Sequence, residues 1–398
     1  MGAFNLQTLA RPNILALEPY RCARDDYTDG VLLDANENPY GPALHNLHSQ
    51  EKSSELNRYP DPHQQPVKQL LCNFRNQERI GEALEVPELT PANLFFGVGS
   101  DEAIDAIIRC FCTPGKDKLL TCPPTYGMYG VSAQINDVEV VKVNLEVSSD
   151  KGAFQLRPDA VNEALSNDPL IKVAYICSPG NPTAALIDKS DIEKVLNHPT
   201  WNGIVVVDEA YIDFSPAGSS MAPYVNKYPN LVVMQTLSKS FGMAGVRLGV
   251  SFGSPEVTSL FNNMKAPYNI STPASQFAER ALSPEGIAIM KEYATSLIEE
   301  RVRLLKELPR IPGVGKFIGG EDANFILFEV LDKPDGVPSS KIAYEVYSAL
   351  AELKGVVVRF RGKEFGCEGG IRVSIGTKVE NDTFIAKFRE AIQEAQRT

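Results

Sequence analysis

Lys239 stands in the segment Thr236-Leu237-Ser238-Lys239-Ser240-Phe241, directly behind the apolar run Leu231-Val232-Val233-Met234. A lysine at the end of a strand, flanked by hydroxyls, is placed for chemical use of its amine. Residues 204–208 read as a second buried strand ending in a carboxylate, Asp208, and Glu209-Ala210-Tyr211 follows it. Arg247 lies eight positions after the lysine (247 − 239). These positions supply an amine, a carboxylate, a phenol and a guanidinium. That set suits pyridoxal 5'-phosphate. The lysine forms a Schiff base with the aldehyde, the carboxylate holds the pyridinium nitrogen, and the arginine pairs with the phosphate.

Further groups of this kind recur at strand ends. Gly97-Val98-Gly99-Ser100-Asp101-Glu102 joins a strand to a helix. It serves either as a helix cap by Ser100 or as a phosphate site on exposed N–H groups. Glu102 occupies the sixth position, where a dinucleotide-binding turn wants Gly or Ala, so a single phosphate monoester fits better than a pyrophosphate. Tyr126, in Pro123-Pro124-Thr125-Tyr126-Gly127-Met128-Tyr129, is either a core aromatic or a ring that stacks on a planar cofactor. Asn181, in Ser178-Pro179-Gly180-Asn181-Pro182-Thr183, is a turn residue whose amide can donate to a ring oxygen. Arg359 and Arg372 flank a short hairpin-like region near the C-terminus. They are either solvated or forked onto a substrate anion.

The elements that position these groups alternate. Strands are expected at 94–96, 118–122, 138–143, 171–177, 204–208, 231–237 and 248–252. Between them the apolar spacing predicts helices, as at Ala103, Ile104, Ile107, Ile108 and Phe111. This βα alternation predicts a largely parallel sheet covered on both faces, whose ligand crevice lies outside the carboxyl ends of the strands. Beyond about residue 275 the pattern changes. A long helix is expected over 284–308, then strands at 325–330, 356–359 and 371–375, with helices at 339–353 and 381–396. Residues 1–66 read mainly as arm and loop.

With 398 residues the chain exceeds one ordinary core, so two domains are expected. A net charge of −11 disfavours a nucleic-acid partner, which wants a basic face. The seven cysteines, Cys22, Cys72, Cys110, Cys112, Cys122, Cys177 and Cys367, sit mostly in apolar runs and form no Cys-x-x-Cys pair. They read as reduced thiols of an intracellular protein. His45 and His48 lack accompanying ligands, so no metal site is expected. The start of the chain has no basic and apolar leader, Leu6 spoils a myristoylation signal, and no run approaches a membrane span. A cytoplasmic enzyme with no membrane and no nucleic-acid partner is the expectation.

Taken in order, these segments resemble the fold-type I pyridoxal-phosphate aminotransferases, and among them the histidinol-phosphate aminotransferase family. The likeness is carried by Leu33–Pro39, Arg58-Tyr59-Pro60-Asp61, Gly99-Ser100-Asp101-Glu102, the run ending in Tyr129, Ser178–Thr183, Asp208–Tyr211, Thr236–Phe241 with Ala244–Arg247, and Arg372–Thr377. It covers nearly the whole chain. It implies an α/β fold with a mostly parallel central sheet, helices on both faces and a smaller α+β C-terminal domain. The implied division is 1–44 as an arm packing on the small domain and the partner subunit, 45–275 as the large cofactor-binding domain, and 276–398 as the small domain.

The resemblance also implies roles. Lys239 would be the Schiff-base lysine and proton carrier, and Asp208 the partner of the ring nitrogen. Asn181 and Tyr211 would reach the ring hydroxyl, and Tyr126 would stack on the ring. Ser100, Asp101, Ser238 and Arg247 would hold the phosphate. Tyr59 would reach the phosphate in the partner's site, which implies a homodimer with shared sites. Tyr20, Arg359 and Arg372 would grip substrate anions. The implied reaction is amino transfer between L-histidinol phosphate and 2-oxoglutarate, yielding glutamate. The alternatives are a threonine-phosphate decarboxylase, an aromatic amino acid aminotransferase, or a non-catalytic cofactor-binding regulator. Two positions depart from the family pattern: Ala184 stands where Gly is usual, and Gly180 where Asn is common.

Overall fold

The computed structural model describes residues 3–23, 26, 31, 33–45, 48 and 54–397. Seven strands form the main sheet: β1 (Leu94–Val98), β2 (Lys118–Thr121), β3 (Glu139–Lys142), β6 (Ile171–Cys177), β7 (Ile204–Asp208), β8 (Leu231–Thr236) and β9 (Leu248–Phe252). A separate hairpin pairs β4 (Glu146–Ser149) with β5 (Gly152–Gln155). The main-sheet order is β1-β9-β8-β7-β6-β2-β3. Only β9 runs against its neighbours. The parallel expectation therefore holds, with one reversed strand inserted between β1 and β8.

The central strands β7, β8 and β9 are buried along their whole length because both faces are covered, and so they are mostly apolar. Alternate residues serve opposite sides. Val205 and Val207 of β7 enter one core with Leu231 and Val233 of β8, while Ile204, Val206, Val232 and Met234 enter the other. The helix Gly99–Phe111 buries the stripe Ala103, Ile104, Ile107, Ile108 and Phe111 in that second core.

The C-terminal region carries a four-stranded antiparallel sheet, β10 (Val314–Phe317), β11 (Phe325–Val330), β12 (Arg359–Phe360) and β13 (Gly370–Ser374), in the order β10-β11-β13-β12. Here β11 divides by the same period-two rule. Phe325 and Leu327 join the first core of the main sheet, and Ile326, Phe328 and Val330 join a core under the helices Ser340–Leu353 and Lys378–Ala395. This alternation seats the smaller sheet on the larger one.

Several expectations need correction. Residues 5–15 pack on the main-sheet side, not on the C-terminal sheet. Leu9 and Ile14 join the core of helix Gly99–Phe111, and the Arg11 N–H donates to the Cys110 carbonyl at 3.0 Å. The expected strand at 356–359 shrinks to Arg359–Phe360, because Gly355 takes φ +69° and Val357 faces solvent. Helices at Gln65–Gln77, Pro255–Met264 and Thr272–Ala281 were not anticipated. The second of these carries a readable signal, since Ser254 caps it and Pro255 opens it. No helix among the described residues is long and apolar enough to cross a membrane.

Candidate active site

The carboxyl ends of β6, β7 and β8, the start of helix Gly99–Phe111 and the β12–β13 pair converge on one cavity of about 430 Å³. It is lined by Ser100, Asp101, Tyr126, Asn181, Asp208, Tyr211, Ser238, Lys239, Arg247, Arg359 and Arg372. Eleven positions singled out in the sequence thus meet in one space. Cys177, Ala210, Thr236, Ala244 and Arg361 complete the lining.

Lys239 is held by the turn after β8. The Ser238 N–H donates to Thr236 Oγ1 at 3.1 Å, and the Gly242 N–H donates to the Lys239 carbonyl at 3.0 Å. The ammonium lies 5.6 Å from the Tyr211 ring centre. Burial lowers the pKa of Lys239, and the Arg372 and Arg247 cations add to that against the pull of Asp208 and Asp101.

Asp208 closes β7 and is buried. Its Oδ2 accepts from the Tyr129 hydroxyl at 2.6 Å and its Oδ1 from the Ala210 N–H at 3.1 Å. Burial pushes its pKa up, and these two bonds hold it down. Tyr129 itself stacks on Tyr175 with ring centres 4.7 Å apart. Sequence reasoning named the segment containing Tyr129 but gave this residue no role. Its spacing of three from Tyr126 was the only available signal, and it does not distinguish a core tyrosine from a carboxylate partner.

At the helix start, the alternative of a Ser100 cap is not realised. Val98 is the cap residue, it makes no side-chain cap bond, and Ser100 is already helical. Glu102 instead turns back to accept from the Val98 N–H. Arg247, in a left-handed conformation (φ +59°), lies over Gly99 and pairs with Asp101 at 3.5 Å. A Cβ on Gly99 would come within 2.2 Å of Nη2 of Arg247, and one on Gly249 within 2.4 Å of the Ser100 nitrogen. Both glycines are therefore needed to bring strand, arginine and helix start together. Tyr126 donates to Asp101 at 3.3 Å, and burial followed by Asp101 raises its pKa to about 12.

Asn181 is fixed from the C-terminal sheet. Its Oδ1 accepts from Nη1 of Arg372 at 2.5 Å. Ala184, the departure from the family pattern, takes φ +53°. This strain, on the order of 1 kcal/mol, is accepted by a turn tied at both ends. The Ala184 N–H donates to the Gly180 carbonyl at 2.8 Å, and its carbonyl accepts from the Asp322 N–H at 2.9 Å.

Tyr20 and Tyr59 do not line this cavity. They gather on Tyr268, with Tyr59 stacked at 4.6 Å and Tyr20 edge-on at 6.3 Å. Both face solvent, at 67 % and 52 % exposure. Among the described residues, no cluster of three or more His, Cys, Asp or Glu is arranged to hold a metal ion.

The residues fit pyridoxal phosphate. A neutral-capable amine and a buried carboxylate face one cavity. Uncapped helix N–H groups and Arg247 suit a phosphate, and the buried Nε of Arg372 has no partner among the described residues.

The class is defined by this fold and site together with the match of residues 28–388 to the family Aminotransferase class I and II. The chain belongs to that family of pyridoxal-phosphate enzymes. It is 55 % identical over 392 residues to the histidinol-phosphate aminotransferase of Schizosaccharomyces pombe, covering 98 % of each chain. It is 50 % identical, again over 98 % of each, to the enzyme of that name from Saccharomyces cerevisiae. The histidinol-phosphate aminotransferase of Sinorhizobium meliloti, solved in complex with pyridoxal-5'-phosphate, superposes with a TM-score of 0.73 at 20 % identity, over 90 % of each chain. That last likeness speaks for the fold.

Proposed function

We propose that this chain transfers an amino group between L-histidinol phosphate and 2-oxoglutarate, giving imidazole acetol phosphate and L-glutamate, as a step of histidine biosynthesis. The observation that carries the reading is the cavity. It sets the amine of Lys239 and the carboxylate of Asp208 in one space with the guanidinium groups of Arg359, Arg361 and Arg372. The first pair suits amino transfer and the arginines suit an anionic substrate. Identity of 50–55 % to relatives bearing that name supports the choice of substrate.

When bound, pyridoxal phosphate supplies an aldehyde that captures the substrate amine and a ring that takes up the electrons left at Cα. The chain supplies the rest. Lys239 Nζ would be the base that carries the Cα proton, and its lowered pKa raises the neutral fraction able to do so. Asp208 keeps the ring nitrogen protonated. With Oδ1 of Asn181 engaged by Arg372, its NH₂ group serves as donor to the ring oxygen, beside Tyr211. Tyr126 would stack on the ring, and the backbone at Ser100 and Asp101 with Ser238 and Arg247 would hold the phosphate. Arg359 and Arg372 take the substrate anion, and Tyr20, which does not line the cavity of its own chain, would reach it only from a second copy.

Tyr59 lies outside the cavity of its own chain, and we assign it to the cavity of a second copy, in a cytoplasmic homodimer with shared sites. The working division is an arm over 1–44, a cofactor-binding domain over 45–275 and a small domain over 276–398.

Half-reaction spectra test the reading. The cofactor-loaded protein is offered histidinol phosphate, threonine phosphate and phenylalanine separately. Histidinol phosphate should convert the aldehyde form of the cofactor to the amine form, and 2-oxoglutarate should reverse it. No conversion with histidinol phosphate sinks the assignment, and carbon dioxide from threonine phosphate points to a decarboxylase.

A further inference from the structure

We infer that Arg361 is a specificity-determining residue that, with Arg359 and Arg372, selects a substrate phosphate over a carboxylate in the cavity. The inference rests on the reading above and deepens it.

The strand register sets up the group. Arg359 on β12 stands directly opposite Arg372 on β13, and Phe360 stands opposite Ile371. The ladder continues, with the Arg361 N–H donating to the Gly370 carbonyl at 2.8 Å. Side chains alternate along a strand, so Arg359 and Arg361 share one face with Arg372, while Phe360 turns to the core beneath the helices. Gly370, opposite Arg361, brings no side chain to that face.

Like charges facing each other across a ladder destabilise it. Beside Arg247, which pairs with Asp101, three further guanidinium groups line this cavity, Arg359, Arg361 and Arg372. The acid that pairs with them is Glu364, which accepts from Nη1 of Arg361 at 2.7 Å. Asn181 takes Nη1 of Arg372 but carries no charge. The Nε atoms of Arg361 and Arg372 are both buried and without a hydrogen-bond partner among the described residues. Three guanidinium groups against one paired acid leave this face with surplus positive charge, which points to a ligand with several anionic oxygens. A phosphate monoester has three terminal oxygens and up to two charges, and can engage more than one fork. A carboxylate has two oxygens and one charge, and one fork saturates it. Glu364 holds the Arg361 head in place, so little ordering is left to do when the anion arrives.

The experiment compares kcat/KM for histidinol phosphate with that for glutamate in Arg361→Gln holoenzyme. The expected result is a fall in the ratio of at least about fivefold, with a weakened inhibition of the glutamate half-reaction by inorganic phosphate. Arg361→Lys keeps a charge for Glu364 but loses the fork, so its ratio should fall in the same direction and less far. Equal losses on both substrates in Arg361→Gln, with Arg361→Lys behaving as wild type, would make Arg361 a loop anchor and overturn the inference. An unchanged phosphate inhibition constant would also overturn it. If the wild-type enzyme fails to react with histidinol phosphate, the functional reading falls and this inference falls with it.

Discussion

The Tyr129 hydroxyl donates to Oδ2 of Asp208 at 2.6 Å, and both side chains are buried. Tyr129 is in turn clamped by its stack on Tyr175, whose own hydroxyl donates to the Ile104 carbonyl at 3.1 Å. The carboxylate proposed to hold the ring nitrogen is therefore aimed by a rigid aromatic pair, whose hydrogen bond lowers its pKa against the larger rise from burial.

Tyr129→Phe removes that bond and nothing else of size. The Asp208 pKa then rises further, so the acid limb of kcat/KM should move to higher pH. Turnover should fall roughly tenfold to a hundredfold, about 1.4–2.7 kcal/mol of barrier, with a smaller loss of cofactor affinity. Unchanged turnover and an unmoved acid limb would leave Tyr129 as core packing.

Borohydride treatment of the yellow holoenzyme should fix the cofactor on Lys239, as read by peptide mapping. Lys239→Ala should lose at least about a thousandfold in turnover, ~4 kcal/mol of barrier. A label on any other lysine refutes the assignment.

Arg372 both touches Asn181 and faces the cavity. Arg372→Ala should therefore weaken both half-reactions, each by a few kcal/mol, roughly 2–3. Arg359→Lys should also be poorly tolerated, because a point charge does not replace a fork. Single-turnover rates against concentration, taken for each substrate, decide the matter. Wild-type behaviour in both variants would move the anion grip elsewhere.

Tyr59 and Lys239 make a complementation pair. A Tyr59→Phe chain mixed with a Lys239→Ala chain should form hybrid dimers in which one site carries neither lesion, and activity should return. Hybrids confirmed by mass that stay inactive would argue against shared sites.

Lys68 offers a test of stability away from the site. Burial lowers its pKa from 10.5 to about 8, with Lys265 adding and Asp61 opposing. Between those values the unfolded chain binds more protons than the folded one, so stability rises with pH across that window. Below about 8 the cost of the buried charge is fully present. Lys68→Met should thus be more stable than wild type at pH 7, by roughly 1–3 kcal/mol. The gap should close as pH climbs toward 10.5, as urea titrations at both ends would show. A gap that does not change with pH would locate the effect in packing.

The strands β6, β7, β9 and β11 were legible to the residue because buried strands read as short, mostly apolar runs. The carboxyl ends of β6, β7 and β8 carry Asn181, Asp208 and Lys239 nearby in sequence, so local order alone located the chemistry. The N-terminal helices of the arm and the helix Gln65–Gln77 were not legible. Their apolar stripes are short, and only packing against a distant surface makes such helices stable. The same holds for the site. Sequence determined which residue types stand at the strand ends. Tertiary structure decided that Tyr129 would aim Asp208, that Arg372 would hold Asn181 from 191 residues away, and that Arg361 would face the same cavity. Those are contacts between elements, fixed by strand register and sheet-on-sheet packing, and no local spacing records them.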